Sequence, residues 1–176
     1  MAVLACCGIA VALMQTIVVP ILPRLPGLLD VSAQAASWLV TSTLLASAVG
    51  APLLGRLGDM YGKRRTLLIS LGMLVAGSAL AAAGGTFPAA LAGRVLQGLA
   101  MAAIPLGISI MRDVLPPERI GSAIGFMSST LGVGGAIGLP LSATVIEHTS
   151  WRTMFAGAAV LGVLDMLLVL RLVPES

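Results

Sequence analysis

Apolar residues run in six long blocks along the chain, at roughly 4–24, 35–57, 66–85, 88–111, 120–146 and 152–172, and charged residues fall almost entirely between them. The hydrocarbon core of a bilayer is about 30 Å thick, and a helix of roughly 20 apolar residues crosses it. Each block is therefore predicted to be a membrane-spanning helix, and residues 1–176 to form a single transmembrane bundle. The connections alternate in character. Gly58-Asp59-Met60-Tyr61-Gly62-Lys63-Arg64-Arg65 follows the second block and Arg112-Asp113-Val114-Leu115-Pro116-Pro117-Glu118-Arg119 the fourth, whereas the links after the first, third and fifth are nearly free of basic residues.

Composition agrees with that pattern and narrows it. The chain is 58% apolar and 10% charged, against about 45–50% and 25% in soluble domains, so neither a water-soluble globule nor a disordered segment fits. Arg56, Lys63, Arg64, Arg65, Arg112, Arg119 and Arg171 lie on one side of the predicted membrane, and only Arg24 and Arg152 on the other. Basic loops stay in the cytoplasm, which predicts cytoplasmic placement for both chain ends. The net charge of +3 is scattered between apolar blocks, a topology signal rather than a nucleic-acid-binding patch. Cys6 and Cys7 are adjacent and carry neither disulfide nor metal-ligand spacing. The first block, Leu4 to Leu22, has no basic leader or small-residue cleavage pattern and reads as a retained membrane helix. No phosphate loop, metal-ligand pair or nucleophile triad is present, so the chain is not expected to be an enzyme or to hold a metal.

Within the blocks, glycines and prolines set the packing. Gly132, Gly134, Gly135 and Gly138 crowd the fifth block, where small residues let membrane helices approach closely. Pro20, Pro52, Pro105 and Pro140 interrupt four spans. Gly50-Ala51-Pro52-Leu53 is echoed by Gly138-Leu139-Pro140-Leu141 at corresponding places of the second and fifth blocks. That echo suits an all-α fold of three plus three helices related by inverted topology, as in secondary transporters.

Two ionisable residues sit inside the spans. Arg94 lies in the fourth block, where a guanidinium is costly unless paired or solvated, and is a functional candidate or else snorkels to the headgroups. Asp165 lies in the middle of the sixth. Hydrocarbon disfavours its charged form, leaving either a proton-coupling role or a neutral, hydrogen-bonded acid. His148, the only histidine, is expected to be an exposed residue at the outer end of the fifth span.

Gly55-Arg56-Leu57-Gly58-Asp59-Met60-Tyr61-Gly62-Lys63-Arg64-Arg65 resembles the cytoplasmic signature of the major facilitator superfamily, G-x-L-x-D-R-x-G-R-R/K-R/K. The resemblance implies a cytoplasmic gate built from Gly55, Gly58, Asp59, Gly62, Lys63, Arg64 and Arg65, with Asp59 facing a helix N-terminus of the other half of a transporter. Met60 replaces the family's arginine. Gly93-Arg94-Val95-Leu96-Gln97-Gly98-Leu99-Ala100-Met101-Ala102 is similar to the family's R-x-x-Q-G-x-G-x-A, implying a proton-coupling role for Arg94 with Gln97 as its hydrogen-bonding neighbour. The fifth block is similar to an antiporter pattern, implying helix packing at Gly134, Gly135, Gly138 and Pro140. In the first block, Leu13 through Pro23 resembles L-D-x-T-I-V-N-V-A-L-P of fourteen-helix drug exporters, with Met14 in place of the acid and Val19 in place of the amide. Gln15 and Thr16 remain as cavity-lining candidates.

Taken together, the resemblance implies the N-terminal six-helix half of a drug:proton antiporter in the cell membrane. It implies no cofactor, a proton gradient as energy source, a small amphipathic substrate, and a second bundle whose helices would meet Asp59 and the fifth-block glycines. The alternative reading is a truncated or non-transporting bundle that acts only as an interaction partner.

Overall fold

A computed structural model describes residues 2–173; Met1 and residues 174–176 lie outside it. The described chain folds into helices and turns without strands, in the order α1 (Ala2–Thr16), α2 (Leu25–Leu29), α3 (Ala33–Tyr61), α4 (Lys63–Gly84), α5 (Phe87–Ala100), α6 (Ala103–Val114), α7 (Pro117–His148) and α8 (Trp151–Leu172). With α5 and α6 counted as one, five stretches are long and apolar enough to cross a bilayer, and α1 is a shorter apolar helix.

Two spans differ from the continuous helices expected of them, and proline is the reason in both. The first was expected over 4–24, but its helix ends at Thr16 and turns continue to Arg24. Pro20 has no N–H to offer the Thr16 carbonyl, which accepts instead from the Val19 N–H at 3.2 Å. The fourth divides at Met101 and Ala102 because Pro105 cannot donate to the Met101 carbonyl, which accepts from Ile104 at 3.2 Å. Pro52 and Pro140, by contrast, lie inside unbroken α3 and α7.

The connections are short for local reasons. The Ser32 hydroxyl accepts from the Ala35 N–H at 3.1 Å and starts α3. Only Gly62 separates α3 from α4, and its φ of 105° is open to glycine alone among common residues. Gly85, with φ of 61°, ends α4.

The three-plus-three arrangement is visible in the packing. α3 lies on α5 and α7 lies on α1, while α4 and α8 pack along each other. An offset of 88 positions, as between Gly50 and Gly138, maps α1, α3 and α4 onto α5, α7 and α8, and therefore the packed group α3–α4–α5 onto the group α7–α8–α1. On that offset Thr66, Leu67, Ser70, Leu74, Gly77 and Ala81 of α4 become Met154, Phe155, Ala158, Gly162, Asp165 and Val169 of α8, all buried. Arg64 and Arg152 are mates by the same offset. Arg64 Nη2 donates to Leu170 O at 2.6 Å, and Arg152 Nε and Nη2 donate to Ala82 O and Ala83 O at 2.5 and 2.8 Å. Each arginine, at the start of its own helix, thus caps the end of the other, which fixes α4 and α8 as antiparallel. Carbonyls without intrahelical partners and the negative end of the helix dipole attract a guanidinium there.

Large apolar side chains face outward along the spans, among them Val49, Leu53, Ile137, Val160 and Leu164. Thr43, Ser70, Ser78, Arg94, Gln97 and Asp165 are buried. In hydrocarbon that distribution is the expected one, because lipid tails solvate leucine as well as a protein core does.

Candidate functional site

α5 carries the buried polar centre of the α3–α4–α5 group. Arg94 is only 1% exposed and turns inward rather than snorkelling. Its Nε donates to Leu39 O on α3 at 3.2 Å, and its Nη1 donates to Met14 O on α1 at 3.0 Å and to Gln97 Oε1 at 2.8 Å. Gln97 Nε2 in turn donates to Ser78 Oγ on α4 at 2.8 Å. Thr43 Oγ1 sits 2.9 Å from Leu39 O and 3.2 Å from Arg94 O, tying α3 to α5. The guanidinium is therefore solvated by carbonyl dipoles and an amide, without a carboxylate. Met14, where the resembling exporters carry an acid, contributes its main chain to the arginine and its sulfur, 3.9 Å from Gln97 Nε2. Four elements meet at one cation.

Glycine makes that meeting possible. A methyl on Gly93 would collide with Gly77 O, one on Gly77 with Gly93 O, and one on Gly98 with Thr43 O. The space beside Arg94, lined by Val11, Met14, Gln15, Thr43, Gln97 and Met101, has no room for water. Gln15 Nε2 lies 3.1 Å from Met101 Sδ and so closes this centre. The Thr16 hydroxyl bonds within its own helix, at 3.1 Å from Leu13 O.

The α7–α8–α1 group is open where the α3–α4–α5 group is closed. Between α1, α7 and α8 lies a cavity of about 440 Å³, lined mainly by apolar groups that include Leu13, Ile17, Leu141, Val145 and Leu161. Beside it a hollow of about 280 Å³ is bounded by Cys6, Ile9, Ala10, Leu164, Asp165 and Leu168. Asp165 is 5% exposed, and its Oδ2 has no hydrogen-bond partner among the described residues. Arg94 and Asp165 are not paired among the described residues: the guanidinium donates to groups on α1, α3 and α5.

At the end of the bundle where α3 turns into α4, Lys63 Nζ meets Asp113 Oδ2 at 2.6 Å and Arg64 caps α8. Gly58 is buried against Leu106, while Asp59 and Arg65 are exposed and Gly55 faces open space. The structure corrects the expectation for the fifth-block glycines. Gly134 packs on Ala12 and Gly138 on Thr16, both on α1 of this chain, and a methyl on Gly135 would come into ordinary contact with Thr16 Cγ2. Their partners lie within the bundle because α7 crosses α1 there; Gly121, Gly125 and Gly132 face open space. Pro140 is exposed, and so is His148, whose Nδ1 lies 2.9 Å from Thr144 O.

Ser78, Thr43, Asp113 and Arg152 are participants that sequence reasoning passed over. Ser78 and Thr43 are isolated hydroxyls in apolar blocks, and the 88-residue match of Arg152 to Arg64 was the available signal for the last.

Residues 4–176 match the family described as Major Facilitator Superfamily. The chain belongs to that superfamily. Membership places it among transporter proteins rather than enzymes. Multidrug resistance protein 3 of Bacillus subtilis (strain 168) is 30% identical over 141 residues, 80% of this chain and 28% of that protein. The Tetracenomycin C resistance and export protein of Streptomyces glaucescens is 33% identical over 146 residues, 82% of this chain and 27% of that protein. Among solved structures, a partially occluded inward-open xylose transporter XylE from E. coli superposes with a TM-score of 0.86 at 19% identity, over 99% of this chain and 48% of that one. The human organic anion transporter MFSD10 (TETRAN) gives 0.73 at 21% identity, over 98% and 46%. At such identities the likeness carries the facilitator fold alone. The chain spans under a third of these two curated relatives and under half of these two solved transporters.

Proposed function

We propose that this facilitator bundle is the N-terminal half of a proton-coupled exporter of small amphipathic compounds, working by alternating access against a second bundle. The observation that carries the reading is the Arg94–Gln97–Ser78 centre, a buried cation shared by four elements in a chain resembling exporters. Polar groups of this kind inside a membrane mark substrate or ion pathways. In this reading the bundle sits in the cell membrane with both chain ends in the cytoplasm, in accord with the excess of Lys and Arg at that end. The exposed Asp59 faces the second bundle, and the Lys63–Asp113 pair holds the α3–α4 turn beneath it. Asp165 and Arg94 are the proposed coupling residues, and the gradient of protons supplies the energy.

The test is proton flux in inverted vesicles bearing the full protein, driven by a panel of amphipathic dyes. Dye-dependent proton release from an acidified lumen supports the proposal. Dye transport that persists unchanged after the proton gradient is collapsed overturns the coupling.

A further inference from the structure

The end of the bundle away from the Lys63–Asp113 pair holds a hollow of about 580 Å³ that the proposed function leaves unused. After the turns that follow Thr16, the short α2 lies against α3, and the hollow separates this segment from the link between α7 and α8. One wall is Pro23, Arg24, Gly27 and Leu28. The other is Ile146, Thr149, Ser150 and Trp151. The volume lies within the range of small-molecule pockets, about 300–1,000 Å³.

The charge of the hollow comes from one residue. Arg24 is exposed, and among the described residues its guanidinium has no hydrogen-bond or ion-pair partner. Arg152, the other arginine of this end, is committed to the carbonyls of α4. No Asp or Glu lines the hollow, although Asp30 and Glu147 lie close in sequence to its walls. A guanidinium in that setting matches a phosphate, whose oxygens accept its planar fork of N–H donors. A zwitterionic headgroup would bring an ammonium that meets no acid there. Thr149 Oγ1 donates to Val145 O at 2.7 Å, so its lone pairs are left to accept from a hydroxyl of the ligand.

The remaining walls select a lipid over a soluble phosphate. Leu28 is 51% exposed beside the arginine, and Ile146 and Trp151 line the opposite wall. Tryptophan gathers where hydrocarbon meets headgroups, which places the hollow at that level of the bilayer. A free phosphate would leave these apolar surfaces uncovered, whereas a glyceride backbone and the first methylenes of its chains cover them. We propose that this hollow binds the headgroup of an anionic glycerophospholipid such as phosphatidylglycerol, with Arg24 on the phosphate and Thr149 accepting from a glycerol hydroxyl. The site goes beyond the exporter reading and does not depend on the direction or energy source of transport.

Photocrosslinking of the full protein in nanodiscs tests the site. The probes are phosphatidylglycerol and phosphatidylcholine carrying a diazirine next to the headgroup, and labelled peptides are mapped by mass spectrometry. Phosphatidylglycerol is expected to label residues 23–28 and 146–151 at least about fivefold more than phosphatidylcholine does, the preference that one basic residue at a membrane surface confers. Arg24→Gln abolishes that preference. Gly27→Phe lowers labelling too, because a side chain at Gly27 meets nothing within 4 Å and fills the hollow while the guanidinium stays. Labelling of residues 60–65, at the opposite end, is unchanged in both variants, and sn-glycerol 3-phosphate, the headgroup without its chains, does not compete. Equal labelling of residues 23–28 and 146–151 by the two lipids, or labelling there indifferent to Arg24→Gln or to Gly27→Phe, overturns the proposal. Displacement by sn-glycerol 3-phosphate overturns it as well, by assigning the hollow to a soluble phosphate ester. If Gly27→Phe fails to fold, the lipid comparison and Arg24→Gln still decide.

Discussion

The two symmetry-related helix groups of this bundle, α3–α4–α5 and α7–α8–α1, share a backbone plan and differ in what fills it. Around α5 the α3–α4–α5 group is closed by glycine-to-backbone contacts and a cation held on carbonyls from α1 and α3. Around α1 the α7–α8–α1 group is apolar and open, with an acid in the gap. One helix pair joins the repeats through reciprocal arginine caps, so the asymmetry lies in the side chains rather than in the frame. The lesson is that equivalent helix crossings carry unlike chemistry: Gly77 and Arg94 stand at the sealed one, Asp165 and Cys6 at the recessed one.

The largest way to break the comparison is to crowd both sides alike. Gly93→Leu drives a side chain into Gly77 O and is expected to cost about 3 kcal/mol or more, enough to lose folded protein. Gly157→Leu, which meets nothing within 4 Å and points to the cavity, is expected to change stability by less than about 0.5 kcal/mol. Thermal unfolding in detergent measures both, and equal losses would mean that the two helix groups are equally tight.

Next comes Gln97→Leu, which strips an acceptor from Arg94 and a partner from Ser78. A loss of about 2 kcal/mol is expected from a buried, charge-assisted bond. The same assay on Ser142→Ala, a local bond of the open α7–α8–α1 group to Leu139 O, is expected to show less than about 1 kcal/mol.

The arginine caps sharpen the comparison by testing the shared frame. Arg64→Ala and Arg152→Ala should each cost about 1 kcal/mol, and the two should add, since they act at opposite ends of α4 and α8. A double variant much worse than the sum would show that the helix pair slides once either end is released.

The smallest effect is expected at Lys63→Gln. Its pair with Asp113 has side chains 18% and 41% exposed, so a loss below about 1 kcal/mol is expected, fading in high salt. Unfolding at two ionic strengths separates this from a buried pair, which salt would not weaken.

Much of the frame was legible in the chain because bilayer thickness acts on hydropathy directly. α3, α4, α7 and α8 follow from block length, and the glycine–proline echo pointed to the repeat. The breaks at Thr16 and Met101 were less legible, since Pro52 and Pro140 leave their helices whole and proline alone does not say which outcome follows. Arg94 and Gln97 stood out by chemistry in an apolar block. Their acceptors did not, because Leu39 O and Met14 O are main-chain atoms that carry no residue signature. The Asp165 hollow was hidden for a related reason: a recess is made by what neighbouring helices lack, and only the folded pairing of α1 with α8 displays it.

The proline breaks have a mechanical consequence. At Thr16 and at Met101 the carbonyl that proline leaves unserved is already taken by a residue one step nearer. Flexing either span at that point ruptures no α-helical bond across the proline, because none was formed there. Each is a joint built into a strut, one in each repeat, where the halves of a crossing can change tilt while α4 and α8, pinned at both ends, stay straight.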